Sequence, residues 1–453
     1  MRMRGTAAVL AALLWTGPGA RLAAQEAEVL EILAAIDSLG TDQLWPGFDP
    51  SQVPVAIYDG ERTWLFRHPA PPPDFKPFES RDQLAYLEGQ HDAVRGNTAT
   101  ELEGVVTATL LLATLDDFPS AIDRAGVAIH EAFHAYQRQA HPEWGEFGLG
   151  LDSPDTDAHL VALRRLETDL VRRAVAADND ENAAALAAAA LEVRRQRFAA
   201  LPESVVRFEQ GLELMEGTAQ HVQVTATGST AGIMPLPEDG FAPDELFMRS
   251  YAMGFAWTVL LRRLRPGWES ALESGAATSL EQALAEALAG TPPADWRESL
   301  AQALRRAETD VAELLARRRA IRDEFLEREG WRVIIDAGHA APLAVRGLDP
   351  ANLVRIEGQE LLHTRWLRLG HTTGEAEVMD RPSLTMGAGP DPFREGFLRL
   401  TVTGFDSPPA LARVGEEVTI TAPGFRARFA GPEVEETGRD VVIRLAGPGH
   451  TRR

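Results

Sequence analysis

The stretch AIHEAFHAYQ, residues 128–137, carries two histidines four residues apart, with a glutamate directly after the first. On an α-helix this spacing puts His130 and His134 on one face, about 6 Å apart along the axis and about 40° apart around it. Two imidazoles so placed can share one ion, and zinc takes nitrogen ligands at about 2.0–2.1 Å in tetrahedral geometry. Glu131 points beside such an ion and not at it, where a carboxylate can take a proton from water. The flanks decide between this reading and two ordinary histidines. Val127, Ile129, Ala132, Phe133, Ala135 and Tyr136 surround the motif with apolar side chains, so a mostly buried helix is expected over about 121–140. Buried imidazoles need partners.

A catalytic zinc keeps three protein ligands and one open position. Close downstream, AYQRQAHPEWGEF offers His141, but Pro142 follows it at once and places it past the helix end. ELMEGTAQHVQ, residues 213–223, is better suited, with Glu216 in a second helical pattern. Gly217 and Ala219 beside it are small enough to let this helix approach the histidine helix closely. A glycine inside a helix costs up to about 1 kcal/mol against alanine and asks for a packing reason. Glu213, one turn earlier, is a weaker ligand candidate, or a group that hydrogen-bonds a ligand from behind.

His130-Glu131-x-x-His134, with Glu216-Gly217-Thr218-Ala219 on a later helix, resembles the gluzincin branch of the zincin metallopeptidases, over about residues 100–270. The resemblance implies one zinc ion held by His130, His134 and Glu216, with Glu131 as general base and a peptide or protein as substrate. It also implies a small twisted sheet whose edge strand holds extended substrate above the active-site helix. GVVTATLLLATL, residues 104–115, is the expected edge strand. Where the third-ligand motif of such enzymes ends in tyrosine, this chain has His221. Tyr251 lies on the next helix, three residues before Gly254. Both are candidate donors to the oxyanion. The glycine and third histidine of metzincins are missing, as is the Gly-x-Met-x-Asn of aminopeptidases, which favours an endopeptidase. Two other classes use the same residues: a zinc-binding envelope scaffold without proteolysis, and a zinc hydrolase of a non-peptide bond. A scaffold has no use for Glu131.

The rest of the chain frames this centre. With 453 residues, 45% hydrophobic and 25% charged, it is a globular protein of about two to three domains. The expected fold class is α+β. A zincin-like, mostly helical catalytic domain with a small N-terminal mixed sheet covers 25–330. From Trp331 the pattern changes to short alternating segments such as WRVIIDA, FLRLTVTGF and EEVTITA, which indicates an all-β sandwich or barrel over 331–453. His339, His363 and His371 are scattered through it and form no metal pattern.

Residues 1–24 have the order of a secretory signal peptide: Arg2 and Arg4, an apolar run, then Ala23 and Ala24 before the expected cut. No later segment approaches 18 uninterrupted apolar residues, so no membrane span is expected after its removal. Lys76 is the only lysine among many arginines, a bias of GC-rich bacterial genomes, and the expected location is periplasmic or secreted. Cysteine is absent, which excludes disulfides and a lipid-modified cysteine. The formal net charge of −22 argues against nucleic acid or anionic membrane as partner. Oligomeric state is left open.

Overall fold

Helix α1 (Pro18–Ser38) turns Val29, Ile32, Leu33 and Ile36 into the core of the first half of the chain. The computed structural model describes residues 18–445 except 40–42, 149, 151, 340, 350–351 and 390. Most of the expected signal segment, residues 1–17, therefore lies outside the described residues. Pro18 opens α1, where a missing N–H costs nothing, and the helix continues through Ala24. Gln25 and Glu26 tie it to the loop and strand at Asp59 and Arg62.

Six strands form the N-terminal sheet: β1 (Val55–Tyr58), β2 (Arg62–Phe66), β3 (Lys76–Pro77), β4 (Leu84–Glu88), β5 (Thr98–Leu102) and β6 (Val105–Leu111). Their order is β3-β4-β2-β1-β6-β5. Only β1 and β6 run parallel, so the sheet is mixed, as expected. The expected edge strand is corrected. The run over 104–115 supplies β6, which lies inside the sheet between β1 and β5, with Thr107 to Leu110 all buried. A continuous apolar run suits a strand covered on both faces. The edge on this side is β5, in which only Ala99 and Leu102 of Thr-Ala-Thr-Glu-Leu are buried. Glu103 (φ 47°) and Gly104 (φ 80°) join β5 to β6 in a two-residue turn with both φ positive, the form that suits the twist of a hairpin.

Helices follow. α2 (Ala121–Ala140) begins at Ser120, whose hydroxyl accepts the Asp123 N–H, and ends before Pro142; it packs against β6 and β5. α3 (Ala158–Val175), α4 (Asp180–Phe198), α5 (Glu203–Thr227), α6 (Leu246–Leu264), α7 (Glu269–Glu273), α8 (Leu280–Ala287) and α9 (Arg297–Glu327) complete the helical part. Four of them are joined by buried charge. Arg194 and Arg197 on α4 and Arg249 on α6 meet Glu167 on α3 and Glu209 and Glu213 on α5, every side chain at most 2% exposed. Removing one member of such a set leaves an uncompensated buried charge, at about 3–5 kcal/mol.

Helix α9, 31 residues and about 46 Å long, reaches into the C-terminal part. There Phe325 packs with Ile356, Leu362 and Leu384, and Arg322 forms a bidentate pair with Glu360. From residue 331 onward the chain is β-rich. One seven-stranded and one six-stranded sheet share a single hydrophobic core, with Val333, Leu400 and Ile443 from one and Leu369, Ile420 and Phe429 from the other. Separate sheets over one core make a sandwich and not a barrel. No helix among the described residues is long and apolar enough to cross a membrane.

His363 lies 1% exposed in the seven-stranded sheet, its Nε2 3.0 Å from Thr385 Oγ1. Burial holds this imidazole neutral, with its pKa pushed down to about 3. The unfolded chain, with a pKa near 6.5, takes up a proton first. Its contribution to stability is therefore complete above about pH 6.5 and is lost as pH falls toward 3. Denaturant midpoints from pH 7 to 5 should show this loss, about 1–2 kcal/mol, and His363→Phe should flatten it. Identical pH profiles for the two proteins would refute the assignment.

Candidate metal centre

Three donor atoms converge where α2 crosses α5. His130 Nε2 and His134 Nε2 are 3.0 Å apart, and each is 3.4 Å from Glu216 Oε2. Donors bound at about 2.0–2.1 Å to one tetrahedral ion lie about 3.3–3.4 Å from one another. The triangle therefore has the size that zinc requires. A second observation agrees: the same Glu216 oxygen is buried without a hydrogen-bond donor. Among the described residues this trio is the one cluster of His, Asp and Glu side chains that could hold a metal ion.

The tautomer of His134 follows from its neighbour. The Gln137 amide nitrogen donates to Met215 O at 2.9 Å and Thr218 Oγ1 at 2.8 Å. Its oxygen is thereby turned to His134 Nδ1, 2.7 Å away. An amide oxygen only accepts, so Nδ1 carries a proton and Nε2 is the ring atom turned to Glu216 and left for a metal. Gln137 went unnoticed in the sequence. Its signal was position, three residues after His134 on the same helical face.

Electrostatics bind the trio together. Burial disfavours the Glu216 anion, but His134 and His130 hold it well below the usual carboxylate range. Burial likewise disfavours a charged His134, yet the Glu216 carboxylate outweighs it and pushes the imidazole up to about 9. Glu131 lines the same cleft, 7% exposed, and burial raises its carboxyl against the pull of both imidazoles. The cleft has a volume of about 550 Å³, with Asn97, Thr98 and Ala99 at the β5 edge on one side and Met215 and Tyr251 on another.

The two oxyanion candidates part company. Tyr251 lines the cleft beside Glu216, and burial together with that anion raises its hydroxyl far above the ordinary phenol range, so it keeps its proton. His221 lies apart from the trio. It lies five residues after Glu216, about 140° further round the helix, and sits between the Trp45 and Trp268 rings with Nε2 3.5 Å from Glu269. It does not line the cleft. Glu213 forms a bidentate pair with Arg194 and supports no ligand. His141 lines the cleft but is committed to Glu273 at 3.0 Å, which also accepts from Tyr136 and Trp45.

Gly217 does its work elsewhere than expected. A Cβ there would lie 2.5 Å from the Gly254 carbonyl carbon, so its smallness brings α6, and with it Tyr251, onto α5. The close approach of α2 to α5 uses Gly126, where a Cβ would meet Thr227 Cγ2 at 2.6 Å.

Gln137→Leu should keep the fold, judged by circular dichroism, while zinc affinity measured by chelator competition falls about 10–100-fold. Unchanged affinity would remove Gln137 from the centre. No protein-family model, curated protein or solved structure matches the chain, so what this centre can do is argued from its own atoms.

Proposed function

We propose that the protein is an exported, zinc-dependent peptidase, with endopeptidase action favoured and a zincin-like catalytic region within residues 25–330. The observation that carries this is the convergence of His130 Nε2, His134 Nε2 and Glu216 Oε2 within 3.0–3.4 Å, with Glu131 on the same cleft wall. Zinc held by these three residues supplies Lewis acidity, polarising a carbonyl and acidifying a water molecule.

The chain's own groups do the rest. Glu131 is placed to take the proton from the attacking water and to deliver it to the leaving amine. Its burial favours a carboxyl that can cycle between both forms. Tyr251 offers a hydroxyl beside the ligand carboxylate, where a donor can meet the developing charge on the carbonyl oxygen. Strand β5 is an edge strand beside the cleft, to which an extended peptide can add as a further strand where its backbone is not already taken up by Arg138 and Thr109. The Arg138 guanidinium donates to Ala99 O and fixes that edge to the histidine helix. A scaffold needs none of these groups, whereas hydrolysis of an amide uses each one.

The test is a broad peptide library offered to zinc-loaded wild type and to Glu131→Gln. Wild type should cleave. The variant should bind zinc normally and lose about 10²–10⁴ in rate, the usual worth of a positioned acid–base group. Zinc-loaded wild type that cleaves nothing, or a variant as active as wild type, would overturn the proposal.

A further inference from the structure

Glu146 lies on the wall of the cleft at the candidate metal centre. A second cavity of about 780 Å³ opens beside it, sharing Glu146 and bounded by Phe147 and Arg207 on the helical side. Its other wall is Phe393 and Arg394, from the short helix α10 (Pro392–Glu395) of the β-rich part. The cavity therefore lies where the two halves of the chain meet, and that junction is firmly held. Arg355 of the β-rich part donates to Ser153 O at 2.5 Å and lies 3.5 Å from the buried Asp155 carboxylate, while Arg322 of α9 pairs with Glu360 of the β-rich part.

An aromatic series joins the two cavities. The Tyr251 ring lies 5.0 Å from Phe247, Phe247 lies 6.4 Å from Phe208, and Phe208 lies 6.0 Å from Phe147. Phe247 and Met248, at the start of α6, are each 40% exposed, which is unusual for such large apolar side chains. The second cavity carries both signs of charge, Arg207 and Arg394 against Glu146, Asp152 and Asp391. That mixture gives no preference for a small anion or cation, whereas a polypeptide meets it with apolar and polar groups together.

We propose that the second cavity is the remote part of the substrate cleft, a docking site for the segment of an extended polypeptide that lies beyond the scissile bond. The substrate is then an unfolded or extended chain bearing bulky apolar side chains, and the β-rich part serves to select it. This rests on the peptidase reading above. Binding energy gained far from the reacting bond can lower the barrier at that bond, so truncated substrates lose rate.

The experiment compares a fluorogenic peptide of about 20 residues, about 65 Å when extended, with its central segment of about six residues. Wild type is set against Phe393→Ala and Arg394→Glu. Arg394 is exposed and its side chain has no partner among the described residues, so the second variant remains informative if the first unfolds. In both, the ratio of kcat/KM for the long peptide over the short one should fall about tenfold. Binding of the long peptide to Glu131→Gln, read by fluorescence anisotropy, should weaken by a similar factor when either change is added. If wild type cleaves both peptides and the variants leave the ratio and the binding unaltered, the docking site is refuted and the peptidase reading stands. If zinc-loaded wild type cleaves neither, both are refuted.

Discussion

The centre depends on how closely α5 can lie against its neighbours. Gly217 and Gly254 face each other where α5 crosses α6, and a Cβ on Gly254 would stand 2.4 Å from Glu213 O. No side chain fits between backbones at that distance. The contact sets the height of Tyr251 over Glu216, because Tyr251 is one turn from Gly254 on the same helix. On the other flank Gly126 lets α2 settle against α5, which carries His130 and His134 to the carboxylate. Three helices are thus brought to one point by residues with no chemistry of their own.

Precision at that point needs stiff support, and its source is polar as well as apolar. A purely apolar core tolerates small shifts of one helix along another, since dispersion has little direction. Bidentate pairs such as Arg194–Glu213 and Arg197–Glu209 have a fixed fork geometry and tolerate much less. They join α4 to α5, while Arg249 and Glu167 extend the set to α6 and α3. The register of α5, and so the position of Glu216, is held from behind by this set. Glu273 does the same service on the cleft side, holding Tyr136 and His141 of the α2 end in place.

How far the chain could be read before folding varied with the range of the interaction involved. The bounds of α2 were legible because they are local: Ser120 caps one end and Pro142 blocks the other. Glu216 was legible because an otherwise helical pattern contained an unexplained glycine. His221 stands apart by spacing alone, since five residues carry it away from Glu216 around the helix. Strand β5 was not legible, because Thr-Ala-Thr-Glu-Leu has little apolar signal and becomes a strand only through pairing with β6. The buried arginines were hidden for a related reason. Arg194 and Arg197 sit in a run that reads as a solvated helical face, and their carboxylate partners come from α3 and α5. Residue type gives the charge but not the partner.

Helix α5 shows the same dependence of a buried charge on its partner. Glu209, Glu213 and Glu216 lie within about 60° of one another around α5, and all are buried. Three carboxylates within two turns of a buried helix face cannot all remain charged without compensation. Arginines pair with the first two, Arg197 and Arg249 at Glu209 and Arg194 at Glu213, although burial still raises the Glu213 carboxyl to about 7. Glu216 meets two imidazoles and a phenol, none of which carries a permanent charge. It can borrow a proton through His134, as the raised pKa of that imidazole shows. A divalent ion answers it better, since it neutralises the carboxylate and uses both imidazole lone pairs at once. The helix thus distinguishes its three carboxylates by their partners: arginines meet two of them, and imidazoles meet the third.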